Sequence, residues 1–226
     1  MADIEGGGVL GRDGNRGGLT LGESVFRALC HAMSEGVYRP GDRLREEEVA
    51  HRLNVSRTPV REAFGRLLTK GFVEPAGARG LIVRCLGTTE VIELYAMREI
   101  LEGAAARLAA QQASPPEIDV LVDLEVACEA HRDDPRELAR LNRLFHAAIF
   151  CAAHNRYLDG ALHELQDAIA LLGPTTFNVE GRPSSAATEH QDIIDAISAH
   201  DGEKAETLAR AHIREALRAR LKLLRA

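Results

Sequence analysis

The sequence predicts a mainly α protein, with an N-terminal winged helix-turn-helix followed by a C-terminal antiparallel α-helical bundle. Three observations carry this. The stretch Val55 to Leu68, VSRTPVREAFGRLL, reads as the second helix of a tight helix-turn-helix pair. Two short β-prone runs, Phe72 to Pro75 and Leu81 to Arg84, follow it across AGARG. From Thr88 onward helix-start signals recur at short intervals and no convincing strand appears.

Residues 1–19 are glycine-rich with little apolar periodicity, and the expectation is a flexible tail. A first helix is expected from Leu21 to about Gly36, with Val25, Phe26, Leu29 and Met33 on one face. Pro40-Gly41 marks a turn. Glu46-Glu47-Glu48 then gives a second helix an acidic first turn, favourable to its dipole, with Val49, Ala50 and Leu53 on the apolar face. In the third helix Ser56 and Thr58 offer N-cap hydroxyls, and Pro59 sits where its missing N–H costs nothing. Arg57, Arg61 and Arg66 project away from Val60, Ala63, Phe64, Leu67 and Leu68. Hydroxyls and the positive end of a helix dipole suit phosphates, and arginines can fork onto guanine O6 and N7. The two β-prone runs form a wing, with Gly77 and Gly80 permitting the turn and Arg79 at its tip.

In the second half Thr89 is the expected cap of a long helix reaching about Gln112. Ser114-Pro115-Pro116-Glu117 reads as a capping box for a helix to about His131. Asp134-Pro135 starts a third, to about Ala153, and Asn155 a fourth, ending near Gly173-Pro174. After a polar loop, TTFNVEGRPSS, a fifth runs from about Ser185 to His200 and a basic sixth over 203–225. The expected domains are therefore a tail at 1–19, a DNA-binding domain at 20–87 and an all-helical domain at 88–226.

The composition, 45% hydrophobic and 27% charged, is that of a globular protein, and no apolar run approaches the length needed to span a bilayer. No secretory signal is evident, and the scattered Cys30, Cys85, Cys128 and Cys151 suit reduced thiols in a cytoplasm. The net charge of −6 divides unevenly. Residues 20–87 hold 11 Lys and Arg against 8 Asp and Glu, a balance of +3, whereas residues 88–226 hold 15 against 23, a balance of −8. That split confines nucleic-acid contact to the head.

The run LREEEVAHRLNVSRTPVREAFGRLLTKGFVEPAGARGLIV, joined to an all-helical second half, resembles the GntR family of bacterial transcription regulators. The second half is similar to the FCD effector domain of the FadR-like branch, through YAMREILE, NRLFHAAI, TEHQDIIDAI and ARAHIREAL. The resemblance implies DNA contacts at Ser56, Arg57, Thr58, Arg61 and the wing residues Arg79 and Gly80, with Arg45 as a phosphate or groove contact. Some relatives have an arginine at the start of the second helix, where this chain has Glu46-Glu47-Glu48. For Arg66 a solvated surface charge is the reading.

Asn142 and His146 are four residues apart and share a helix face. His190 and His212 fall on the fifth and sixth bundle helices, where both can face the interior. Three imidazoles and an oxygen donor suit Zn²⁺, or Ni²⁺, Mn²⁺ or Fe²⁺ with water completing the shell. Similar FCD domains hold a metal through an Asp and three His at matching positions. Asn142 stands where that Asp would be, an amide oxygen without the charge. The other histidines have no such companions. Arg98 and Glu102, also four apart, form either an intrahelical ion pair or, with Arg98 turned into the pocket, a clamp for a carboxylate. Tyr95 is read as core.

The resemblance thus implies a cytoplasmic homodimer that binds a pseudo-palindromic double-stranded DNA operator, acting as a repressor modulated by a small organic acid. Two readings from other classes compete. A metal-dependent enzyme could use the three histidines, though no carboxylate is clearly placed as general base and the winged head would go unexplained. An architectural DNA-binding protein would have an inert body.

Overall fold

The computed structural model describes residues 20–77 and 80–225; the expected tail at 1–19 and the wing-tip Arg79 lie outside the described residues. The chain divides after Cys85 into two compact units.

In the first unit Thr20 caps helix α1 (Leu21–Ser34), its Oγ1 accepting from Glu23 N at 3.1 Å. The α1 face predicted from spacing is buried: Val25, Phe26, Leu29 and Met33, with Cys30 beside them. A two-residue strand β1 (Arg43–Leu44) precedes α2 (Glu46–Leu53). Asn54, in the left-handed region at φ 52°, ends α2 and turns the chain into α3 (Arg57–Thr69). Both α1 and α2 pack on α3. Strands β2 (Val73–Pro75) and β3 (Leu81–Val83) form the wing.

Among the described residues the sheet has three strands rather than the two expected, in the antiparallel order β1-β3-β2 with Leu44 opposite Leu81. Two residues are too few to show an alternating pattern, so β1 left no periodicity to detect. Gly80 has φ +132°, and a Cβ there would lie 3.0 Å from the Leu44 carbonyl oxygen. The close approach of β1 therefore gives this glycine a structural task at the root of the wing.

The second unit contains α4 (Thr88–Gln112), α5 (Pro115–Ala130), α6 (Pro135–Ala152), α7 (Arg156–Ile169), α8 (Arg182–Ser198) and α9 (Gly202–Leu223). Short 3₁₀ turns at Ala170–Leu172 and Thr176–Asn178 occupy the loop before α8. Most starts follow from the signals in the sequence. Glu117 accepts from Ser114 N at 2.8 Å, and Asp134 Oδ1 accepts from Arg136 N and Glu137 N at 3.0 and 3.1 Å. Asn155 Oδ1 accepts from Tyr157 N and Leu158 N, both at 3.2 Å.

Two starts differ from expectation. Gly87, not Thr89, is the N-cap of α4, and Glu90 accepts the Gly87 N–H at 3.0 Å. Helix α8 begins at Arg182, three residues before Ser185, because Pro183 fits a first turn whose N–H groups have no internal partner.

The core of this unit is built around α4, which supplies Ala105, Ala106, Ala109 and Ala110. These small side chains let α9 approach through Ala205 and Ala209, while Phe145, Ile149, Ile193, Ile194 and Ile197 fill the space toward α6 and α8. Arg220 is buried and donates to the Leu172 and Pro174 carbonyl oxygens at 2.9 and 2.6 Å. Arg220→Met keeps the apolar stem but leaves these acceptors without their donor. Equilibrium urea unfolding should then show the helical unit destabilised by about 1–3 kcal/mol. An unchanged midpoint would mean that water reaches both carbonyls. No helix among the described residues is long and apolar enough to cross a membrane.

Candidate functional site

The first of two candidate surfaces is the start of α3. Ser56 is the N-cap residue but makes no side-chain capping bond, and Ser56, Arg57 and Thr58 are all exposed. No acidic residue lies in the first turn of α3, so the positive end of its dipole is not neutralised there. Pro59, Val60, Ala63, Phe64 and Leu67 are buried, and they fix the helix so that Arg57 and Arg61 face outward. Arg66 belongs elsewhere: it pairs with Glu23 and lies 5.1 Å from the Phe26 ring centroid, both on α1. Three carboxylates from α2 reach the candidate contacts. Arg61 Nε is 2.8 Å from Glu46 Oε2, Arg57 Nη2 is 2.8 Å from Glu47 Oε1, and Arg45 Nη1 is 3.0 Å from Glu48 Oε1.

The second lies inside the helical unit. His146 on α6, His190 on α8 and His212 on α9 are buried, and one ring nitrogen of each lies within 4.8 Å of the others. Each imidazole has a glutamate at its other nitrogen. His190 Nδ1 is 2.7 Å from Glu125 Oε2, His212 Nδ1 is 2.7 Å from Glu189 Oε2, and His146 Nδ1 is 2.9 Å from Glu102 Oε2. The glutamates come from three different helices, α5, α8 and α4. Where a carboxylate accepts the Nδ1–H, as at His190 and His212, the Nε2 atom is left with a lone pair. The Nε2 atoms of His146 and His212 lie 3.3 Å apart, and His190 Nε2 is buried without a hydrogen-bond partner.

Burial, and then the neighbouring His146 and Arg182, hold His190 well below the ordinary imidazole range. Burial does the same to His212, followed by His190, His146, Arg182 and Arg98. Both rings are therefore neutral donors of electron pairs at neutral pH. Burial also raises the carboxyl of Glu125, to about 7. At Glu102 burial pushes the same way but is outweighed by Arg98 and His146 together, which bring it to about 2. Three imidazole nitrogens converging in a buried site suit a divalent cation. Asn142, one turn before His146, adds a buried Oδ1 with no hydrogen-bond partner. Of the four residues singled out in the sequence, the three histidines meet in a donor set that suits a divalent metal, and Asn142 brings an unused oxygen acceptor one turn from His146.

Arg98 forms the intrahelical pair, Nε to Glu102 Oε1 at 2.7 Å, is buried, and lies 4.8 Å from the Tyr95 ring centroid. Tyr95 is itself core. Three participants escaped sequence reasoning. Glu125 and Glu189 were not identified, because a carboxylate 65 or 23 residues from its histidine gives no local signal. Arg182 falls in the stretch that the sequence predicts to be a polar loop. It is buried, donates from Nη1 to Glu189 at 2.8 Å, and has Nη2 3.4 Å from His212 Nδ1. As guanidinium only donates, Glu189 takes the His212 Nδ1–H and the Arg182 contact is one of packing.

Residues 21–83 match the profile of bacterial regulatory proteins, gntR family, and residues 93–215 match that of the FCD domain. The chain is 37% identical over 133 residues to the Nta operon transcriptional regulator of Aminobacter aminovorans, covering 58% of this chain and 63% of that protein. It is 32% identical over 196 residues to the probable D-xylose utilization operon transcriptional repressor of Paenarthrobacter nicotinovorans, covering 86% of each. Among solved structures, E. coli McbR/YncC shares the fold with a TM-score of 0.83 at 22% identity, over 91% of this chain and 99% of that one. These families are regulators, not enzymes, and the winged head with its helical partner unit has the same explanation. The chain belongs to the GntR family of DNA-binding transcription regulators and carries an FCD domain.

Proposed function

We propose that this regulator is a cytoplasmic homodimeric repressor whose hold on DNA depends on a small carboxylate bound beside a metal ion in the helical unit. The single observation that carries the metal reading is the cluster of three buried imidazoles, two of them held at Nδ1 by a glutamate and the third with a glutamate oxygen 2.9 Å from its Nδ1. His146, His190 and His212 would hold the ion, Zn²⁺ by preference, with Asn142 as a neutral fourth donor. When bound, such an ion supplies a Lewis-acidic anchor for an anionic ligand. Of this chain's own groups, Arg182 is the guanidinium in contact with the cluster, and Arg98 joins it through Glu102. Both have the fork geometry that suits a carboxylate.

On the head, Ser56, Arg57, Thr58 and Arg61 would meet the operator, with Arg45, Arg79 and Gly80 at its flanks. A two-fold dimer presents this surface twice, so the operator would be pseudo-palindromic. A ligand alters operator affinity only by binding the DNA-competent state and its alternative unequally. Metal analysis of the purified protein, followed by a thermal-shift screen of small carboxylates with and without chelator, tests this reading. Metal-dependent stabilisation by one of the acids is the expected result. Stabilisation by none of them, with a metal content of zero after incubation in zinc, would overturn it.

Glu125 gives a more selective test. Glu125→Ala removes the acceptor that orients His190 but no ligand atom, and zinc affinity should fall about 10–100-fold. A competition titration against a chromophoric chelator reads this directly. An affinity equal to that of wild type would mean that packing alone, including the Phe145 ring stacked on His190 at 4.2 Å between centroids, orients the imidazole.

A further inference from the structure

The acidic turn that opens α2 faces the reading arginines of α3, and its three glutamates are not equivalent. Glu48 pairs with Arg45, three residues away, and Glu47 pairs with Arg57; in both pairs each side chain is more than half exposed. Glu46 is the least exposed of the three carboxylates at 34%, and it crosses from α2 to α3 to take the Nε–H of Arg61 at 2.8 Å. An arginine held through Nε keeps Nη1 and Nη2 for a partner beyond it. Those are the two donors that an end-on fork to guanine O6 and N7 requires. The long side chain has also lost part of its rotamer freedom before DNA arrives.

We infer that Glu46 is a positioning residue that sets sequence specificity by holding Arg61 for base reading. This rests on the assignment of Arg61 to the DNA surface. Glu46 has two separable effects on DNA. Its negative charge repels phosphates and weakens binding to every sequence alike. Its bond to Arg61 helps only where a guanine stands in register, and so strengthens binding to cognate sites alone. The ratio of cognate to unrelated affinity isolates the second effect, because the first cancels in it.

The experiment uses the full-length protein and two duplexes of equal length, one selected by the wild type from a random-sequence pool and one unrelated. Fluorescence anisotropy would be titrated for wild type, Glu46→Gln, Arg61→Ala and the double variant at two salt concentrations. Glu46→Gln should bind the unrelated duplex more tightly, yet its cognate-to-unrelated ratio should fall about tenfold. In the Arg61→Ala background the same substitution should leave the ratio unmoved. If Arg61→Ala lowers the ratio and Glu46→Gln does not, Glu46 is a surface charge only and the inference is wrong. Should Arg61→Ala itself leave the ratio intact, the assignment of Arg61 to base reading fails, and the role given to Glu46 fails with it.

Discussion

His212→Ala should lower the zinc affinity of the purified protein about a hundredfold or more. The size follows from ligand count. Structural zinc sites bind with about 10–16 kcal/mol over four ligands, so each ligand carries on the order of 3 kcal/mol. His212 also sits where two networks cross, with Glu189 at its Nδ1 and His146 at its Nε2. Its loss leaves two imidazoles and frees Glu189 to turn wholly to Arg182, which it already contacts. Truncation of a buried ring can destabilise the bundle by itself, so His212→Gln, which keeps most of the volume, accompanies it. Both variants should show the same loss in a chelator competition. His200→Ala changes a histidine that bonds the Ala110 carbonyl outside the cluster and should keep full affinity. Equal affinity for wild type and both His212 variants would remove this histidine from the site.

The candidate donors could be named from the sequence partly because helix-face arithmetic is local and partly because the chain resembles FCD domains. Asn142 and His146 lie four apart on α6, and α8 and α9 are consecutive helices, so His190 and His212 could be brought together without knowledge of the rest of the fold. What orients them was not legible. Glu125 reaches His190 across 65 residues, and Glu102 reaches His146 from a helix two elements earlier, where Arg98 already offered it a local partner. Such pairings depend on which helices touch, and an apolar periodicity shows that a face is buried but not what buries it. The head shows the same limit. The spacing in SRTPVRE placed α3 and its outward arginines, but β1, two residues long, emerged only from its pairing with β3. The pairing of Glu46 and Glu47 with Arg61 and Arg57 likewise appears only once α2 is packed on α3. The acidic turn that departs from some relatives thereby becomes a set of partners for the arginines.

Replacing Arg57 and Arg61 together by Ala should weaken binding to a selected cognate duplex by about 2–6 kcal/mol, since a good bidentate base contact contributes about 1–3 kcal/mol. The two arginines lie one turn apart and both pair with the first turn of α2, so their effects need not add and the single variants must be measured beside the double. Loss of fold does not explain such a result. Both side chains are more than half exposed, and the buried face of α3 is made by other residues. Part of the loss has a second origin. Without the arginines, Glu46 and Glu47 stand unpaired at the surface that meets phosphates, which weakens binding to any sequence. Base reading and phosphate contact separate on two observables. If the arginines read bases, the preference for the cognate duplex collapses while the salt dependence changes little. If they meet only phosphates, binding weakens uniformly across sequences and the salt slope falls by about one per arginine. Unchanged affinity for the selected duplex would remove α3 from the reading surface and move recognition to the wing.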